Sequence, residues 1–173
     1  VLMDDARLIS EALGIDKVGE VLVYNPKSFT VEFRGPMGPA LTTALTDIVA
    51  GRDLQTTDVT ASGTPVSYPI KIAHQQQVPS YEKEIGPIIA ENCATCHREG
   101  GIAPFALDSH TMVRGWSQMI REVLMTKRMP PGQIDSHIGD FVNNMVLADE
   151  EAQKIVHWIE AGSPKDGSID PLT

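Results

Sequence analysis

Apolar residues recur at helical spacing in five stretches of the chain and alternate with polar ones in two. In DDARLISEALG, Leu8, Ile9, Ala12 and Leu13 share a face, Asp4 or Asp5 caps the start, and Gly14 ends it. EVLVY and FTVEF are β-rich runs joined by the turn residues NPKS, which predicts an antiparallel hairpin. ALTTALTDIVAG predicts a second helix, with Leu41, Leu45, Ile48 and Val49 on one side and Gly51 at its end. YEKEIGPIIAEN is helical in period, with Ile85, Ile88 and Ile89 on one face; Pro87 lacks an N–H and bends it or ends its first turn. MVRGWSQMIREVLMTK groups Met112, Trp116, Met119, Ile120, Val123 and Leu124 on one side, and MPPG cannot continue that helix. DEEAQKIVHWIEAG closes the series, with Ala152, Ile155, Val156 and Ile159 inward and Gly162 as the stop. Its acidic residues 149–151 lie at the end that the helix dipole favours.

Residues 52–79 are rich in Thr, Ser, Pro and Gln and show little periodicity, which predicts a linker with a short extended piece at PVSYPIKI. The expected organisation is a segment 1–51, a linker 52–79 and a mainly helical domain 80–173, α+β overall.

Composition narrows the classes. A hydrophobic content of 42% over 173 residues is that of a globular chain. The apolar runs fall far short of the roughly 18 residues that span a bilayer, so no transmembrane segment is expected. Asp4 and Asp5 break any signal-peptide pattern, and a first residue of Val reads as a processed chain or a fragment. A formal charge of −9 argues against a nucleic-acid partner. Arg114, Arg121, Lys127 and Arg128 fall within fifteen positions and make that region locally positive, as a solvated helix face or a docking patch.

The chemistry concentrates in ENCATCHREGG, which holds both cysteines of the chain, Cys93 and Cys96, with His97 directly after them. Such a cluster serves a zinc site, a redox disulfide or the attachment of a haem. A structural zinc site needs four ligands, and no further cysteine exists to supply them; His74, His110, His137 and His157 show no ligand spacing. A thioredoxin-like pair opens a helix after a strand, whereas here a predicted helix precedes the motif and a Gly-rich loop follows it. C-x-x-C-H is the attachment signature of c-type haem. Two thiols separated by two residues reach both vinyl groups on one porphyrin edge, and the next residue turns its imidazole onto the iron. In this reading Cys93 and Cys96 form the thioethers and His97 is the proximal ligand.

The opposite axial ligand must come from elsewhere. Met112, Met119 and Met125 fall in the helix pattern, where a thioether fills gaps in a core. Met129 precedes Pro130 and Pro131, in a stiff segment that cannot be helical, and lies 129 − 97 = 32 residues from His97. That favours Met129, since Met/His ligation is the electron-transfer pattern. Met145 and His137 are the runners-up. His110 and His157 are expected to cap or face solvent.

Residues 81–166 resemble the single-haem, class I-like cytochrome c domains of bacterial exported proteins. The matching features are YEKEIGPIIAENCATCHREGGIAPFAL, Trp116, KRMPPG and the closing HWIEAGSPKDG. The resemblance implies one covalent haem c, Cys93 and Cys96 as its links, and His97 and Met129 on the iron. Gly132 stands where that family usually has Trp, and Gln133 where it usually has His. The first half is similar to the C-terminal part of a redoxin (thioredoxin-like) domain, though KVGEVLVY lacks the proline such domains place before the hairpin. The implied fold is a mainly α cytochrome c domain behind a partial α/β segment.

On that basis Ile89, Ile102, Pro104, Phe105, Trp116, Ile120, Leu124 and Ile155 are candidate walls of the haem pocket. Gly100-Gly101 would let the backbone pass close to the porphyrin. Arg121, or Arg114, Lys127 or Arg128, would meet a propionate or an acidic partner. The expected function is single-electron transfer with a redox protein or another domain of a longer parent chain, in the periplasm or outside the cell. The alternative is a peroxidase-like haem enzyme with a labile or absent sixth ligand. A third reading makes residues 1–79 a docking module for another subunit.

Overall fold

The computed structural model describes residues 3–55, 57–135, 137–139, 141–142 and 144–173. The chain divides into two compact units, Ser10–Ser67 and a second formed by Tyr68–Thr173 together with the residues up to Ile9. Helices and one two-stranded antiparallel sheet make it α+β. Among the described residues, no helix is long and apolar enough to cross a membrane.

The unit Ser10–Ser67 holds β1 (Glu20–Asn25), β2 (Thr30–Pro36) and α2 (Pro39–Val49). The two strands pair as the alternation predicts, Glu20 opposite Pro36 and Val23 opposite Phe33, with an irregularity between Val23 and Tyr24. The turn is set by Asn25, whose side-chain oxygen accepts from the N–H of Lys27 at 2.9 Å. Phe33, Ala44 and Ala61 are its buried apolar residues. The expected inner face of α2 is not what is buried: Ala44 is, while Leu45 and Val49 are exposed. Helical spacing gives a stripe but not the neighbour that covers it.

The linker predicted for 52–79 does not exist as one piece. Its first part belongs with the hairpin, where Val18 N–H donates to Thr64 O and Val66 N–H to Asp16 O, both at 2.9 Å. Its second part forms α3 (Pro69–Gln76), with Pro69 in the first turn, where a missing N–H costs nothing. The first residues also part from the predicted 1–51 segment. Ala6 and Leu8, the latter opening α1 (Leu8–Ala12), pack on Val156, and the Gln153 side chain donates to Ala6 O at 2.7 Å. Asp4 caps α1 through the Ile9 N–H at 3.1 Å.

Pro87 divides YEKEIGPIIAEN into a π-helical turn (Tyr81–Ile85) and α4 (Gly86–Asn92). The long helix predicted over MVRGWSQMIREVLMTK is two, α5 (His110–Gly115) and α6 (Ser117–Met125), broken at Trp116. α7 (Asp149–Glu160) follows. Tyr81, Ile85, Ile89, Val113, Ile155 and Trp158 form the fully buried centre of this unit. His110 and His157 are buried, against the expectation that they cap or face solvent. His110 Nε2 donates to Ser163 O at 3.0 Å, and the Nδ1 atoms of His157 and His74 lie 2.8 Å apart, bridging α7 and α3.

Candidate cofactor site

α4 ends at Asn92, and the motif continues its curl. His97 N–H donates to Cys93 O at 2.9 Å, so Cys93, Cys96 and His97 occupy successive corners of one turn. The glycines after it serve the motif itself. Gly100 takes a φ of +69°, and a Cβ on Gly101 would collide with the carbonyl of Cys96. The close approach predicted for Gly100-Gly101 is therefore to the motif's own backbone. Ala103 N–H closes back on Cys96 O at 3.2 Å and Leu107 N–H on His97 O at 2.8 Å.

This turn forms one wall of an apolar cavity of ≈ 490 Å³, within the range of about 300–1,000 Å³ usual for cofactor clefts. Cys93, Cys96, His97, Ile102, Pro104, Phe105, Trp116, Ile120, Leu124 and Met129 all line it. Residues separated by more than thirty positions thus meet at one site. α6 explains the rest of the wall. None of its residues is fully buried, because the stripe of Met119, Ile120, Val123 and Leu124 faces this cavity.

The imidazole of His97 is held by a backbone carbonyl. Its Nδ1 lies 3.1 Å from Phe105 O, a carbonyl that only accepts, so in the neutral ring the tautomer is the one with the proton on Nδ1 and the lone pair on Nε2. The His97 ring leans on Phe105 with centroids 4.6 Å apart, and Phe105 stacks on Trp116 at 4.3 Å. Burial pushes the Cys93 thiol up to about 11, and the Glu151 carboxylate adds to the effect. A thiol so held is a poor thiolate at neutral pH, unlike the activated cysteines of redox pairs. No disulfide joins Cys93 to Cys96.

Met129 is placed by the end of α6. Lys127 takes a φ of +53°, Lys127 N–H donates to Leu124 O at 3.1 Å and Arg128 N–H to Val123 O at 2.8 Å, a left-handed helix stop with Lys where Gly is usual. Met129 follows at once, joined to Pro130 by a cis peptide bond, and Gln133 donates to Pro130 O at 2.9 Å.

Three expectations are corrected. Arg121 does not line the cavity: its guanidinium holds Glu160, with Nη2 at 2.7 Å, and so ties α6 to α7. The cation on the wall is Arg128, which pairs with Glu122. Ile89 and Ile155 are core residues, not wall. His137 lies on a different cavity, beside Asp135 at 2.8 Å and Asp5 at 3.8 Å. Met145, a runner-up ligand in the sequence, lines the site, and Met119, Val123 and Leu107 line it without having been assigned to it; the helical stripe foreshadows Met119 and Val123, and no local signal marks Leu107.

The residues fit a c-type haem: two thiols and one imidazole on a single turn, a thioether on the same cavity, and apolar walls between. Among the described residues, no group of three or more His, Cys, Asp or Glu side chains is placed to hold a metal ion by itself. Comparison with protein-family models, curated proteins and solved structures found no match to the chain.

Proposed function

We propose that the chain carries one covalently bound c-type haem and transfers single electrons. The observation that supports this most is the convergence of Cys93, Cys96, His97 and Met129 on one apolar cavity. Cys93 and Cys96 would hold the group through thioethers, His97 would offer Nε2 to the iron, and Met129 would offer its sulfur. Arg128 supplies the positive charge that a propionate needs. When bound, the haem supplies a one-electron iron couple, and Met/His ligation sets its potential above that of bis-His ligation.

The walls do the protein's share. Phe105, Trp116, Ile120 and Leu124 exclude water and lower the local dielectric, while the Phe105 carbonyl fixes the imidazole tautomer. With His97 and Met129 both holding the group, no site would be left for a substrate, which favours electron transfer over peroxide chemistry. On this reading the segment 81–166 is a cytochrome c domain, the hairpin unit is a remnant of a redoxin-like fold, and the partner is a redox protein or a further domain. Haem attachment of this type follows export in bacteria, which places the chain in the periplasm or beyond.

The test is the absorption spectrum of the protein made in a host that attaches haem c. A low-spin reduced spectrum with a sulfur-to-iron band in the oxidised form is expected. A high-spin spectrum that shifts with carbon monoxide at low concentration would overturn the electron-transfer assignment and point to a peroxidase-like enzyme.

A further inference from the structure

Met129 is not the sole thioether on the cavity. Met119 and Met145 line it as well. The three differ in how the backbone holds them. Met119 belongs to α6, whose hydrogen bonds fix its Cα. Met129 and Met145 belong to segments outside any helix or strand, and they are similarly accessible, at 40% and 39%.

Met145 is bracketed by two anchors. On one side the Asn144 amide clamps Ile134 at two points, accepting from its N–H at 3.1 Å and donating to its carbonyl at 3.2 Å. On the other, Leu147 is buried in the core with Ile155 and Trp158. A side-chain amide that imitates a strand pair, next to a core anchor, holds the residue between them on the cavity wall. A methionine with three rotatable bonds then has reach while its backbone stays in place.

We propose that Met145 is a reserve axial ligand, able to take the iron position that Met129 fills; this rests on the haem reading above. The exchange breaks one iron–sulfur bond and forms another. Both donors are neutral thioethers, so no proton moves and the iron keeps its oxidation state. Asn144 is the positioning residue for the reserve.

The test uses full-length, haem-loaded protein with Met→Leu changes, which conserve volume. The readouts are the sulfur-to-iron band of the oxidised form and the affinity for added imidazole. Met129→Leu is expected to keep a sulfur-to-iron band. Met129→Leu with Met145→Leu loses it and binds imidazole about tenfold more tightly, equivalent to about 1.4 kcal/mol. Asn144→Ala in the Met129→Leu background moves both readouts the same way, whereas Met119→Leu in that background leaves the sulfur-to-iron band present. The proposal is overturned if Met129→Leu already lacks the band and binds imidazole as tightly as the double variant. It is equally overturned if the remaining band vanishes with Met119→Leu or survives Met145→Leu. A wild-type chain whose intact mass shows no haem refutes the underlying reading instead, and that result is separate from any of these.

Discussion

Asp170 gathers the tail of the chain onto the core. It accepts from the Tyr81 hydroxyl at 2.6 Å, from Leu172 N–H at 3.2 Å and from His110 N–H at 2.8 Å. Burial pushes its carboxyl up, but the His110 N–H, the Tyr81 hydroxyl and the Leu172 N–H outweigh that and hold it below the usual carboxylate value. A depressed folded value contributes stability that is fully present above the unfolded value of about 3.9 and is lost as pH falls through the folded one. Asp170→Asn should therefore cost about 1.5–3 kcal/mol at pH 7, the range for hydrogen bonds to charged groups. Urea unfolding should show that deficit shrinking at pH 3, and an equal deficit at both values would refute the assignment. Gly101 is a second residue whose role is steric. Its Cβ would meet the Cys96 carbonyl and lie 2.9 Å from Arg98 O, whereas nothing lies within 4 Å of one built on Gly115. Gly101→Ala should destabilise by about 1–3 kcal/mol, and Gly115→Ala in α5 should stabilise by about 0.5–1 kcal/mol. Thermal unfolding of the pair checks the contrast. ENCATCHREGG marks the candidate site in the sequence, yet the service of Gly101 to the motif backbone depends on a fold-back that residue types do not encode.

The start of the helical core shows how one element is specified. The Ser80 hydroxyl oxygen accepts from Lys83 N–H at 3.1 Å, and the Glu84 carboxylate reaches back to Ser80 N–H at 3.0 Å. This is a reciprocal cap with the acid four residues on rather than three, the spacing of a turn that is π-helical. Lys154 pulls the Glu84 carboxyl below its usual value, and the Ser80 N–H adds to this. Ser80→Ala should lower stability by about 1 kcal/mol and Ser80→Gly by only a few tenths; calorimetry that finds Ala as stable as wild type would exclude the cap. Helix stops were the most legible features of the sequence. Gly14, Gly51 and Gly162 all take positive φ where the pattern ended a helix, because a left-handed residue is a local demand. The break at Trp116 was not legible, since the ring of Trp116 answers to Phe105 in the cavity wall rather than to its helical neighbours. Nor was α3, which falls where PVSYPIKI was expected to be extended and has Pro69 as a first-turn residue.

At the scale of the molecule, periodicity gave elements and left their grouping open. Ala6 and Leu8 pack on Val156 near the other end of the sequence, and residues read as linker divide between two units. Such groupings depend on which apolar stripes cover one another, and no short window holds that information. The candidate site was more legible than the domain boundaries, because its chemistry recurs in short motifs: C-x-x-C-H, the APF loop and Met-Pro-Pro meet on one cavity. Arg121 was misplaced, since its guanidinium holds Glu160, and Arg128, just past the end of α6, lines the wall while pairing with Glu122. The central claim concerns what that cavity holds. It is tested most directly by the intact mass of the chain made in a host with the haem c attachment machinery, compared with a Cys93→Ser, Cys96→Ser variant. The account predicts the mass of the chain plus one haem for the wild type and the bare chain for the variant. A bare wild-type chain, with its two thiols free or joined as a disulfide, would contradict it.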